Sequence, residues 1–304
     1  MPAKQFSGVH AALLTPRKSD GAVDAAALTR LVQFLLARGI WKFALNGATG
    51  EFPLMRPQDL EVALETVRSA AQGRAQILCG IGGIGIGPSR ELAAIAQERG
   101  ANGLLLPMPY FFRYEQHDLN AFCREAAKST DLPILLYNLP QFSTGLAKET
   151  VRTLIESVPN IVGIKDSGGS LDILRDLTEH EVEACRIVGN DPVLRPALSE
   201  AVCDGIVSGI ACVLPELILR LYEQGNQASC ARFDDSWRSL REIARQLDSF
   251  PTPWALKWIA QARGIFDASF AQPLSAERAA RGAELKSWFP EWFAAAVPGG
   301  ALTF

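Results

Sequence analysis

No apolar run in this chain of 304 residues approaches the ~18 that a membrane-spanning helix needs. Residues Met1–Gly8 lack the charged-then-apolar pattern of a secretory leader, so the expected location is the cytoplasm. Neither sign of charge dominates. Lys and Arg number 30 and Asp and Glu 33, and the net charge is −3 without runs of one sign. That balance argues against nucleic acid or an anionic membrane as a partner. Histidine is scarce: His10, His117 and His180 show no metal-ligand spacing, and no metal is expected. His117 and His180 read as exposed helix positions and His10 as a satisfied core residue. No Ser/His/Asp arrangement stands out. The six cysteines, Cys79, Cys123, Cys185, Cys203, Cys212 and Cys230, form no C-x-x-C pair. They read as buried free thiols, not as a disulfide framework.

What is present is an alternation. Eight short apolar runs read as buried parallel strands: Val9–Thr15, Phe43–Asn46, Gln76–Gly80, Gly103–Leu106, Pro133–Asn138, Ile161–Asp166, Arg186–Gly189 and Gly205–Ser208. Helical patterns separate them. Asp24 can cap a helix with Leu28, Leu31, Val32, Leu35 and Leu36 on one stripe. Pro57 and Pro88 open the next two. The closing glycines Gly39, Gly73 and Gly100 lie 34 and 27 residues apart, the length of one βα unit. Eight such units favour a closed barrel over an open doubly wound sheet, and one barrel needs about 250 residues. The expected fold is therefore α/β, a (β/α)8 TIM barrel with a C-terminal helical extension. Residues 1–225 form the catalytic barrel and 226–304 the extension. From Leu214 to about Trp288 the chain reads as helical, interrupted near Phe250–Pro253. The tail Val297–Phe304 is expected to be loosely held.

In such a barrel, chemistry gathers where strands end. Lys165 closes the apolar run Ile161-Val162-Gly163-Ile164, an unusual place for a lysine. Desolvation there disfavours the ammonium form, and a neutral amine attacks a ketone to give an imine. The alternative is a lysine paired with Asp166 or another carboxylate at the barrel mouth. Tyr137 ends the neighbouring strand, about 4.8 Å away. Its phenol is expected beside the amine, where it can move protons; the alternative is a tyrosine packed at the rim. The loop Gly47-Ala48-Thr49-Gly50-Glu51 can turn tightly and present backbone N–H groups to a carboxylate, or it is an ordinary βα turn. Gly80-Ile81-Gly82-Gly83-Ile84-Gly85 satisfies the dinucleotide fingerprint in form. No acidic residue ends the next strand at Leu104-Leu105-Leu106-Pro107, so a close-packed loop is the favoured reading.

These motifs, with Tyr137-Asn138-Leu139-Pro140, Gly163-Ile164-Lys165-Asp166-Ser167, Gly189-Asn190-Asp191 and Gly205-Ile206-Val207-Ser208, carry a resemblance. The chain resembles the dihydrodipicolinate synthase/N-acetylneuraminate lyase family of class I aldolases over nearly its whole length. The resemblance implies that Lys165 is the Schiff-base lysine and Tyr137 the proton-transfer residue. It places the 2-oxo acid carboxylate at Ala48 and Thr49, with Gly50 in the same loop. It implies a homotetramer built as a dimer of dimers, and no cofactor beyond the covalent imine. Asp191 and Ser208 are expected to face the variable end of the substrate.

The departures concern that end. Similar synthases carry a threonine where Ala48 stands, and a tyrosine lent across a subunit interface where Phe111 stands. They also carry an arginine shortly after Y-N-x-P, whereas this chain has Gln141-Phe142-Ser143-Thr144-Gly145. Arg113 can substitute only if its loop folds inward. Losing one buried charged hydrogen bond costs on the order of 1.5–3 kcal/mol. The expectation is therefore a Schiff-base-forming lyase, a class I aldolase or a dehydratase, acting on pyruvate or another 2-oxo acid with an aldehyde partner, and not an authentic dihydrodipicolinate synthase. Phe111, with Phe112 and Phe142, is expected at the mouth against a less polar substrate end. The first alternative is 4-hydroxy-tetrahydrodipicolinate synthase. The second is a non-catalytic 2-oxo acid sensor, kept open by Ala48 and Phe111.

Overall fold

The computed structural model describes residues 5–225 and 231–303. Cys230 and the start of the extension at residue 226 lie outside the described residues. Eight parallel strands form a closed barrel in chain order: β1 (Gly8–Ala12), β2 (Lys42–Leu45), β3 (Gln76–Gly80), β4 (Gly103–Pro107), β5 (Ile134–Asn138), β6 (Ile161–Asp166), β7 (Cys185–Val188) and β8 (Gly205–Ser208). β8 returns to pair with β1. All eight expected strands are present, most with ends shifted by a residue or so. The largest difference is in β1, expected to reach Thr15. Leu13 still donates to the Ala44 carbonyl at 2.9 Å, but the Leu14 N–H turns to the Cys212 sulfur and Pro16 has no N–H to give.

Side chains alternate along each strand. One set points out to the helices α1 (Ala25–Leu36), α2 (Pro57–Ala70), α3 (Ile86–Glu98), α4 (Gln116–Ala127), α5 (Lys148–Ser157), α6 (Asp172–Glu179), α7 (Leu194–Ser199) and α8 (Pro215–Gly225). The other set fills the barrel. Phe6, Ala44, Leu78, Leu105, Leu135 and Ile187 belong to this inner cluster, and Tyr137 stands at its upper edge. His10 is buried there against the Gln76 side chain at 3.2 Å, and burial pulls its pKa down to about 4. Two helix signals act as read: Asp24 caps α1 through the Ala27 N–H, and Pro57 is the first residue of α2. Pro88, expected to open the next helix, is instead the third residue of α3, which begins at Ile86. In the Gly80–Gly85 run, a side chain at Gly82 would meet the Phe52 ring at 2.6 Å. Tight packing thus accounts for that glycine.

Beyond the barrel lie α9 (Ala231–Asp248), α10 (Trp254–Ala262) and α11 (Ala276–Ala296). The break near Phe250–Pro253 is present. A second break, not expected, spans residues 263–275. Gly264 at φ +66 turns the chain there, and Pro273 blocks its return to a helix. Phe250, Trp258 and Phe270 stack with centroids 5.1 and 4.8 Å apart and fix the first break over the barrel mouth. The tail differs from expectation too. The fully buried guanidinium of Arg263 binds the Ala301 and Leu302 carbonyls and the Glu216 carboxylate, so the tail is held. Among the described residues, no helix is long and apolar enough to cross a membrane.

Candidate active site

The register of β5 and β6 brings Tyr137 and Lys165 side by side. Both are buried, and the Lys165 Nζ sits 3.9 Å from the centre of the Tyr137 ring. The amine thus meets the ring face. The hydroxyl points toward Gly47, where an added methyl would lie 3.9 Å from it. Tyr137 therefore spans the gap between the amine and the Gly47–Glu51 loop.

The alternative of a Lys165–Asp166 pair does not occur. Asp166 alternates to the outer face and accepts from the Asn138 side chain at 2.8 Å and the Gly168 N–H at 2.9 Å. Among the described residues, Lys165 makes no ion pair within 4.0 Å, and it acts electrostatically on Asp191.

Room for the lysine depends on one glycine. A Cβ at Gly189 would lie 2.7 Å from the Lys165 Cε and 2.2 Å from the Ser167 Oγ. Gly189→Ala is expected to push the amine off its position and lower kcat/KM about 10²-fold, the scale of an ångström-level misplacement. Steady-state kinetics beside a melting curve checks this. Unchanged kinetics in a folded variant would show that the amine has slack.

The Gly47–Glu51 loop follows β2. Its own turn uses the N–H groups of Glu51 and Phe52, which bond to Ala48 and Gly47. Among the described residues, the N–H groups of Ala48 and Thr49 have no protein acceptor. Thr15 donates to the Gly50 carbonyl at 2.9 Å and pins the loop from β1's side. Ala48 and Thr49 line a cavity of about 340 Å³ above Lys165, together with Tyr137, Asn190 and Asp191. Gly50 and Ser208 stand behind this surface.

The Ser208 side chain and the Ile210 backbone favour the charged form of Asp191. Burial nevertheless raises the Asp191 pKa to about 6 from 3.8, against those two groups and the Lys165 charge. The folded protein thus binds this proton more tightly than the unfolded chain does. The stability gained is full below 3.8 and is lost as pH rises through about 6. Unfolding titrations of the native protein and Asp191→Asn should diverge across that window, with the native protein losing stability relative to the variant. Parallel curves would contradict the assignment.

Phe111 lies outside the chain's own cavity. It is 85% exposed with φ +85, and packs edge to face on Phe112 at 5.0 Å. Arg113 is also exposed and does not reach the cavity. Sequence reasoning missed the roof: Leu247, Asp248, Pro251, Thr252, Ala255 and Leu256, from the end of α9 to the start of α10. The only signal was the Pro251-Thr252-Pro253 interruption. Among the described residues lining the cavity, Lys165 is the sole cation and the carboxylates are Asp191 and Asp248. A larger cleft of about 730 Å³ between α8, α9 and α11 holds none of these residues.

With this geometry in place, comparison with known proteins is informative. The model of the dihydrodipicolinate synthetase family matches residues 5–288. A 4-hydroxy-tetrahydrodipicolinate synthase of Aromatoleum aromaticum is 30% identical over 271 residues, 89% of this chain and 92% of that protein. One from Campylobacter lari is 33% identical over 216 residues, 70% of this chain and 72% of that protein. The solved 4-hydroxy-tetrahydrodipicolinate synthase of Methylacidiphilum fumariolicum superposes with a TM-score of 0.87 at 27% identity, covering 96% of this chain and 98% of that one.

Proposed function

This chain belongs to the dihydrodipicolinate synthetase family of aldolase-type lyases, and from that premise we propose that Lys165 carries pyruvate or another 2-oxo acid as its imine. The observation that carries the reading is the buried, ion-pair-free Lys165 amine on the face of Tyr137, under a loop with two open N–H groups. The carboxylate of the 2-oxo acid accepts from the Ala48 and Thr49 N–H groups and the Thr49 hydroxyl. The amine adds to the ketone carbon, and loss of water leaves a protonated imine. Removal of a proton from the adjacent carbon sends its electron pair toward the iminium nitrogen and gives an enamine. That carbon then attacks an aldehyde, whose oxygen takes a proton. The reverse sequence cleaves the bond. Tyr137 is the group placed to relay these protons. The iminium is the electron sink, so the reading calls for no metal or organic cofactor. The sensor alternative is set aside, because the family consists of lyases.

The acceptor is the finer question. The names of the relatives favour 4-hydroxy-tetrahydrodipicolinate synthase, and the comparisons lend no support to excluding that reaction. A separate observation favours an acceptor without a carboxylate: the cavity lining contributes no cation besides Lys165 and two carboxylates. One experiment tests both levels. Borohydride reduction with pyruvate followed by peptide mass spectrometry should show the adduct on Lys165, and its absence would end the imine reading. Turnover with aspartate semialdehyde beside uncharged aldehydes of similar length then decides the acceptor.

The same reading includes assembly and location. Phe111, Phe112, Phe142 and Leu54 are large apolar side chains left exposed, which suits contact with a second copy in a dimer of dimers. Among the described residues, the five cysteines are free thiols, which suits the cytoplasm.

A further inference from the structure

Lys257 and Glu51 form a buried ion pair, Nζ to Oε2 2.6 Å, with side chains 1% and 9% exposed. They are 206 residues apart in the chain. Burial lowers the Lys257 pKa, and Glu51 offsets that only in part. Such pairs add little net stability, because desolvating two ions offsets most of their attraction. A role in stability alone therefore explains it poorly.

Its position suggests another role. Glu51 is the last residue of the carboxylate-facing loop and is held at φ +58. Lys257 lies on α10 directly after Leu256, which with Ala255 forms part of the cavity roof. The two parts also come close to each other beside the substrate position. A methyl at Gly209 would lie 3.0 Å from the Thr49 Oγ and 3.2 Å from the Leu256 side chain, so Thr49 and Leu256 converge on one point. Besides this pair, the loop's side-chain tether is the Thr15 bond to Gly50.

We propose that the Lys257–Glu51 pair is a positioning device that sets the spacing between the Ala48–Thr49 loop and the α10 roof, and thereby the affinity for the 2-oxo acid carboxylate. The inference rests on the imine reading above. Neither residue touches the reacting atoms; the pair acts through the backbone of the loop.

The test measures the pyruvate dependence of borohydride trapping at Lys165, and kcat against KM, in the native protein, Lys257→Met, Glu51→Gln, the double variant and Lys257→Arg. Half-saturating pyruvate should rise about tenfold or more in either single variant, as for other groups that orient a binding shell. The maximal trapping rate should change little. The double variant should be no worse than the worse single one, because the two act as a unit. Lys257→Arg, which keeps the charge, should recover most of the affinity. If Lys257→Met does not fold, Glu51→Gln, which keeps the volume, carries the test. A folded Glu51→Gln with native half-saturation overturns the proposal, whatever its melting temperature. Absence of trapping in the native protein would instead sink the imine reading itself.

Discussion

Lys165→Met is expected to give no borohydride-trapped adduct with pyruvate and to lower kcat by about 10⁴-fold or more, the scale seen when a covalent nucleophile is removed. Methionine keeps the volume of the chain beneath the Tyr137 ring and loses only the amine. The variant should therefore fold. Removing the amine even relieves a desolvation cost, since Lys165 is 3% exposed and, among the described residues, forms no ion pair within 4.0 Å. An equal or higher melting temperature with no turnover is the expected combination. The change also bears on Asp191, which loses its electrostatic partner. Its carboxyl should titrate higher still than about 6 in this variant. Trapping that persists in Lys165→Met, on any other residue, would refute the assignment.

Tyr137→Phe is the second large effect. The ring against the amine is retained and only the hydroxyl is removed. Loss of a positioned proton-transfer group costs about 10²- to 10⁴-fold in rate. The loss should fall on kcat more than on KM, because the carboxylate loop is untouched. Trapping should still occur, given longer incubation, since Lys165 remains. A KM defect with normal kcat would mean that the hydroxyl, which points toward Gly47, binds substrate and does not relay protons.

The parts that could be read in advance share a cause. Parallel strands are buried on both faces, so Ile161–Asp166 stands out as a run, and a lysine at its end is conspicuous. Tyr137 and Lys165 end adjacent strands, and the ladder leaves little freedom in how they meet. The Lys257–Glu51 pair has no such local signature. Nothing near either residue announces a partner 206 positions away. The roof is equally silent, because its placement depends on Phe250, Trp258 and Phe270 stacking across two loops. Phe111 at φ +85 contradicts local preference, since an aromatic residue rarely adopts that backbone. Arg263 likewise holds a tail whose composition suggests freedom.

The roof has a consequence for how such a protein can change over generations. The amine and the phenol are anchored in a hydrogen-bonded barrel, where a shift in one strand disturbs its neighbours. The residues that overhang them, within 247–256, run from the end of α9 through a break to the start of α10, outside that barrel. Substitutions at Leu247, Asp248 or Thr252 alter the shape offered to an incoming aldehyde without moving a strand. Diversification of acceptor preference is thereby uncoupled from preservation of the bond-making step, and a library confined to those three positions is the economical place to search for it.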